Sequence, residues 1–218
     1  MNTLLKQLLD APDLALLMRD AQAELIREKR KREKFAADLD EDMKAEFING
    51  EVVVHSPVRR NHYVVSNLLV RLLSTHVDKN RIGTVAVEKA LIRLTRNDYE
   101  PDICFWGLDK SELFDGETMF HPAPDFVVEI LSPSTAAYDR GIKLRDYAAH
   151  DISEYWIIDP DAEKVEQYLN TGEREYQLQG SFGVGDEIES KAVPAFLLPV
   201  KAIFDEQANM ETLARIME

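Results

Sequence analysis

Apolar residues follow two different spacings along the chain, and the changes between them mark out its elements. Near the start, Leu4, Leu5, Leu8 and Leu9 form a stripe at helical spacing, and Pro12-Asp13 marks a break or a new start. Leu14, Leu16, Leu17, Ala21, Leu25 and Ile26 continue as a second helix into Arg27-Glu28-Lys29-Arg30-Lys31-Arg32-Glu33-Lys34. Glutamates interleave that basic run, so a solvated helix face is the plainer reading and phosphate contact the alternative. Residues 1–38 are therefore expected to form an N-terminal helical arm, either a helical hairpin or a dimerisation element, and 39–218 the main domain. The acidic stretch Leu39-Asp40-Glu41-Asp42-Met43 reads as a short helix start.

Phe47-Ile48 and Glu51-Val52-Val53-Val54 flank Asn49-Gly50, the strongest short hairpin signal, because both turn positions need positive φ. Ser56-Pro57 reads as a turn, and a helix follows from about Arg60 to Val77. Its apolar positions Val64, Val65, Leu68, Leu69, Leu72 and Leu73 repeat at the 3–4 spacing of a buried face. From Gly83 the period changes. Thr84 to Leu94, Ile103 to Trp106 and Phe126 to Leu131 read as strands, Tyr138 to His150 as a helix, and Tyr155 to Asp159 as a strand closed by Pro160. The resulting order is helix, three strands, helix, strand. Val165 to Leu169, Glu175 to Leu178 and Glu187 to Glu189 suggest further short strands, with a terminal helix near Gln207 to Met217. There is no internal repeat and no low-complexity tract.

The 218 residues suit one domain of ordinary size with an appendage, and 45% apolar content is globular rather than disordered. The formal charge of −14 argues against a protein that coats nucleic acid indiscriminately, since such binding rests on neutralising phosphates. It leaves room for a site whose own ligands are acidic. Cys104 is the only cysteine and sits in an apolar strand, so a buried free thiol in a reducing cytoplasm is expected. No stretch approaches the roughly 20 apolar residues of a membrane span, and no leader pattern opens the chain, which points to a soluble protein.

Several polar side chains lie where apolar ones are the rule. Glu129 shares a strand face with Val127 and Leu131 and is a lone acid on an apolar surface. It reads as a ligand, with an arginine-paired strand-end glutamate as the alternative. Asp102 follows Pro101 at the entrance of its strand, where a Pro-Asp turn would also explain it. Together the two make a plausible pair for a hard divalent cation. Lys143 lies one to two turns into the following helix with Tyr147 at i+4 on the same face. A lysine near such a cation can orient water or stabilise charge on a phosphate, although on position alone a surface lysine is the simpler reading. Ser134 or Thr135 could cap that helix. Glu51 could supply a third acid, with a solvated strand-start glutamate the plainer reading, and His62 is either functional or a capping, exposed histidine. No Gly-x-Ser-x-Gly elbow, phosphate loop or paired zinc motif appears.

These residues resemble the PD-(D/E)XK restriction-endonuclease-like superfamily and, within it, the bacterial Uma branch. The matching stretches are Ile48-Asn49-Gly50-Glu51-Val52-Val53, Ser56-Pro57 with His62, Pro101-Asp102, and Pro124-Asp125-Phe126-Val127-Val128-Glu129-Ile130-Leu131-Ser132-Pro133-Ser134-Thr135. Lys143 with Tyr147, and Glu154-Tyr155-Trp156-Ile157-Ile158-Asp159-Pro160, complete them. The likeness covers about residues 40 to 205, with the N-terminal helices outside it. It implies an α/β fold with an αβββαβ core and a mixed sheet, carrying an N-terminal helical extension. It further implies a Mg²⁺- or Mn²⁺-dependent endonuclease acting on nucleic acid, DNA foremost, and a homodimer. Asp102 and Glu129 would be metal ligands, with the Ile130 carbonyl as a further oxygen. The superfamily's usual lysine, two residues after the glutamate, is here Leu131, and Lys143 is its natural substitute. Glu51 is the candidate for the acid of the first helix, which lacks a glutamate. The alternative is a catalytically inactive binding or assembly module that keeps the fold.

Overall fold

The structure is a computed structural model and describes residues 3–39, 44–55 and 57–218. The short helix start expected at 39–43 and Ser56 of the Ser56-Pro57 turn therefore lie largely outside the described residues. The chain forms two compact units, one of residues 1–54 with 95–97 and one of 55–94 with 98–218.

In the first unit, α1 (Thr3–Leu9) and α2 (Leu14–Asp38) precede a hairpin of β1 (Ala45–Ile48) and β2 (Glu51–Val54). The break at Pro12-Asp13 falls between the two helices as expected. Ile48 pairs with Glu51, leaving Asn49 (φ 50°) and Gly50 (φ 84°) as a two-residue turn. A Cβ on Gly50 would come within 2.9 Å of the Glu28 side chain, so this turn position admits only glycine. Glu28 is buried on α2 and accepts from Nε and Nη2 of the Arg96 guanidinium (2.8 and 2.6 Å). Arg32 donates to the carbonyls of Thr95 and Asn97, and Phe35 packs on Phe47. The second half of α2 is thus fastened to the hairpin and to residues 95–97.

The second unit opens with α3 (Arg60–Asn80), then β3 (Gly83–Val87), β4 (Leu91–Arg93), β5 (Asp98–Tyr99), β6 (Ile103–Gly107) and α4 (Leu108–Ser111). β7 (Phe120–His121) and β8 (Phe126–Ile130) follow. The next helix has three parts: α5 (Ala136–Tyr138), a π-helical segment (Asp139–Lys143) and α6 (Leu144–Ala149). β9 (Glu154–Asp159), β10 (Lys164–Asn170), β11 (Tyr176–Gly183), β12 (Glu187–Glu189), β13 (Leu197–Pro199), α7 (Lys201–Phe204) and α8 (Glu206–Met217) complete the chain.

The main sheet runs β11-β10-β9-β8-β6-β3, with β8 and β9 parallel and the other neighbours antiparallel. Its central strands and the helices α3 and α5–α6 give the expected helix, three strands, helix, strand order on a mixed sheet. Alternate residues divide its faces. Ile103, Phe105, Val128, Ile130, Trp156 and Ile158 join the core with Val65, Leu69, Leu72, Leu73 and Val77 of α3. Cys104, buried and in no disulfide, together with Val127 and Tyr155 takes the opposite face.

The single strand expected over Thr84 to Leu94 is interrupted. Glu88 (φ 47°) and Lys89 (φ 46°) adopt left-handed backbone and separate β3 from β4. Neither residue type announces such a break, because left-handed backbone is normally left to Gly, Asn or Asp. Among the described residues, no helix is long and apolar enough to cross a membrane.

Candidate active site

The site begins with strand register. On the antiparallel pair β6–β8, Ile103 faces Val128, Cys104 faces Val127 and Phe105 faces Phe126. Asp102 immediately precedes β6, and its carboxylate reaches the backbone N–H of Ile130, the residue after Glu129 on β8. Both acids are buried, at 5% and 4% exposure. Buried carboxylates are costly unless they are bonded. Cationic and hydrogen-bonding partners offset that cost.

Asp102 Oδ2 accepts the Ile130 N–H (2.8 Å) and lies 3.1 Å from His62 Nε2. His62 is buried near the start of α3, and its Nδ1 has no hydrogen-bond partner among the described residues. Glu129 Oε1 accepts from Lys143 Nζ (2.9 Å) and from the Tyr147 hydroxyl (2.8 Å). Lys143 is 1% exposed and its Nζ also lies 3.4 Å from Asp139 Oδ1. Its ammonium sits 5.9 Å from the centre of the Tyr99 ring, and that ring meets Tyr147 edge-on. The Tyr99 hydroxyl donates to Asp146 (2.8 Å). Tyr155 donates to the Asp139 carbonyl (3.2 Å). Burial first, and then the nearby Glu129 and Asp139 carboxylates, push its pKa well above that of free tyrosine. Tyr155 is a neutral donor throughout the ordinary pH range.

The π segment sets the phase of these side chains. Four α-helical residues advance about 400°, some 40° beyond a full turn. The wider i→i+5 turn advances less per residue, so four residues from Asp139 to Lys143 undershoot where four from Lys143 to Tyr147 overshoot. The two drifts oppose, and all three side chains face the strand that carries Glu129. A uniform α-helix would spread them over a wider arc.

Five of the residues singled out from sequence thus meet: Asp102, Glu129, Lys143, Tyr147 and His62, with Ile130 giving its N–H to Asp102. Glu51 lies in the first unit, with its side chain 80% exposed and 3.5 Å from Lys31. Asp139 and Tyr99 were not singled out. Asp139 stands four residues before Lys143, a spacing that in retrospect marks an acid–lysine pair. The capping expectation needs correction. Neither Ser134 nor Thr135 caps the helix through its side chain; the Thr135 N–H instead reaches Ser132 Oγ (3.3 Å), because the chain already turns at Ser132. Among the described residues, no cluster of three or more His, Cys, Asp and Glu side chains is arranged to hold a metal ion by itself.

A mixed sheet in this strand order, with two buried acids at neighbouring strand ends and a lysine delivered by the next helix, is the restriction-endonuclease-like fold. The chain belongs to the Uma2 family, described as "Putative restriction endonuclease", which it matches over residues 11–201. That span takes in α2, so the family likeness reaches further toward the N-terminus than the sequence stretches had placed it. Two uncharacterised proteins of Synechocystis sp. are each 28% identical to it. One aligns over 69% of this chain and 78% of its own length, the other over 67% and 83%. A crystal structure from Anabaena variabilis, described as "a putative nuclease belonging to DUF820", superposes with a TM-score of 0.68 at 18% identity. It covers 83% of this chain and 97% of its own. At that identity the superposition speaks to the fold, while family membership supports a nuclease-like function on nucleic acid.

Proposed function

We propose that this protein is a divalent-metal-dependent endonuclease, cytoplasmic and acting as a homodimer, that hydrolyses phosphodiester bonds of DNA. The observation that carries the reading is a pair of buried carboxylates at neighbouring strand ends, one bonded to the Ile130 N–H and the other to a buried lysine. The donor set suits Mg²⁺ or Mn²⁺, which take oxygen ligands and are commonly held by one or two carboxylates plus substrate phosphates and water. Asp102 and Glu129, with the Ile130 carbonyl, would hold the ion. When bound, such an ion lowers the pKa of water and polarises a phosphoryl oxygen.

The remaining groups act through position and charge. His62 and the Ile130 N–H fix the Asp102 carboxylate through one oxygen. Tyr147 and Lys143 fix Glu129 in the same way, so neither acid needs to reorganise when substrate arrives. Lys143, carried to Glu129 by the helix, takes the place left by Leu131 and stabilises negative charge as it develops on the phosphate. Glu51 has no part in this reading.

The test is conversion of supercoiled plasmid with Mg²⁺ or Mn²⁺ by wild type, Asp102→Asn and Glu129→Gln, which keep side-chain shape. Wild type should nick or linearise the plasmid only with metal, and each variant should lose roughly 10²-fold or more. Cleavage that survives both substitutions would remove these residues from the chemistry. The −14 charge favours a second reading, a nuclease-fold binding module. Its signature would be nucleic-acid or protein binding that is indifferent to both substitutions, without cleavage.

A further inference from the structure

Asp139 is buried more completely than Asp102 or Glu129, at 1% exposure, and the proposed chemistry leaves it without a task. Its Oδ1 lies 3.4 Å from Lys143 Nζ, an ammonium that already donates to Glu129 Oε1 at 2.9 Å. One carboxylate is enough to pair one lysine. A second in the same dry pocket adds a desolvation cost that the pair by itself does not require. The fold nevertheless holds it there. Asp139 opens the π segment and Lys143 closes it, which brings both onto the strand that carries Glu129. Tyr155 donates to the Asp139 carbonyl and pins its backbone.

The demand for a third acid comes from the ion. An ammonium and a divalent cation compete for the same carboxylate, because each is attracted to its charge and each repels the other. With Glu129 as its only acceptor, Lys143 would cancel one of the two negative charges that Asp102 and Glu129 offer and would crowd the ligand oxygens. Asp139 gives the ammonium an acceptor on its own helix and restores the cancelled charge. His62 does not alter this balance, since a neutral ring can donate from Nε2 to Asp102, 3.1 Å away.

We propose that Asp139 is a positioning residue that acts through Lys143: it holds the ammonium to its own helix and offsets its charge, so that Glu129 stays available to a divalent cation. The inference rests on the metal-dependent reading of the site, and it concerns binding of the ion before any nucleic acid arrives.

The experiment is titration of the full chain with Mn²⁺ alone, reading the free ion by electron paramagnetic resonance, for wild type, Asp139→Asn, Lys143→Met and Asp139→Asn/Lys143→Met. Circular dichroism checks that each is folded. With the lysine present, Asp139→Asn should weaken Mn²⁺ binding about tenfold or more; in the Lys143→Met background the same change should cost no more than about threefold, a coupling that marks action through the lysine. A purely structural aspartate would lower the unfolding temperature without this dependence on Lys143. If Asp139→Asn alone does not fold, the comparison of Lys143→Met with the double variant decides: affinities within about threefold support the inference and a tenfold gap overturns it. Equal losses in both backgrounds would make Asp139 a plain charge acting on the ion and overturn the inference. Tight Mn²⁺ binding untouched by Asp139→Asn overturns it while leaving the metal reading in place. Wild type that binds no Mn²⁺ overturns both.

Discussion

Among the described residues Lys143 is the one lysine in the group of largest fully buried side chains, and the acids around it outnumber it. Glu129 and Asp139 both face its ammonium, and Asp102 is buried just before the neighbouring strand β6. Removing one partner of a buried ion pair typically costs about 3–5 kcal/mol, because the other charge is left behind in a poor solvent. Lys143→Met should therefore destabilise the protein by about that amount, read from urea unfolding at neutral pH. A loss below about 1 kcal/mol would mean that the acids are held by other groups and the lysine is incidental to folding. Sequence gave uneven access to this cluster. Glu129 and Asp102 stand out because each interrupts an apolar strand, where a charge must have a reason. Lys143 stands out less, since charged residues are ordinary on helices and position alone favours a surface lysine. Asp139 carries only its i,i+4 spacing to Lys143, which on a helix rich in charges reads equally as a solvated surface pair.

At the level of elements, strands and helices read from periodicity were placed to within a few residues, and the irregularities were not foreseen. The π segment and the left-handed pair Glu88-Lys89 depend on what lies around them, and neither leaves a local pattern of residue types. The Asn49-Gly50 turn was legible because its backbone demands particular residues. One contact between elements carries a pH dependence. The Arg96 hydrogen bonds, and then its positive charge with that of Lys31, outweigh the opposing effect of burial and hold the Glu28 carboxyl below its ordinary pKa. A depressed folded value means that the unfolded chain takes up the proton first. The contribution is complete above about pH 4.5 and drains away as pH falls toward the folded value. Glu28→Gln should lose about 1–2 kcal/mol at pH 7, since the guanidinium is partly solvated. Its stability should then change less than that of wild type between pH 5 and pH 3, as measured by denaturant unfolding at each pH.

For the whole molecule, the excess of acidic residues bears on how nucleic acid is approached. A chain at −14 repels a polyanion at long range. Binding to random-sequence DNA without divalent cations should therefore be weaker than the roughly 10⁻⁴–10⁻⁶ M common for non-specific binders at physiological salt. Ca²⁺ or Mg²⁺ should tighten it. Fluorescence anisotropy with and without the ion reads this directly, and metal-independent micromolar affinity would contradict it. The ordering of the site along the chain has another consequence, this time for assembly. Ile130 meets Asp102 across 28 residues, Lys143 meets Glu129 across 14, and Tyr147 meets it across 18. Closing such short loops costs little entropy, and the cost grows only slowly with length. Two acids, the lysine and the tyrosine thus come together within the single stretch from 102 to 147. Only His62 must arrive from a distant part of the chain. Extensions at either end, or growth of the loops beyond β9, lengthen the protein without separating the groups that would do its chemistry.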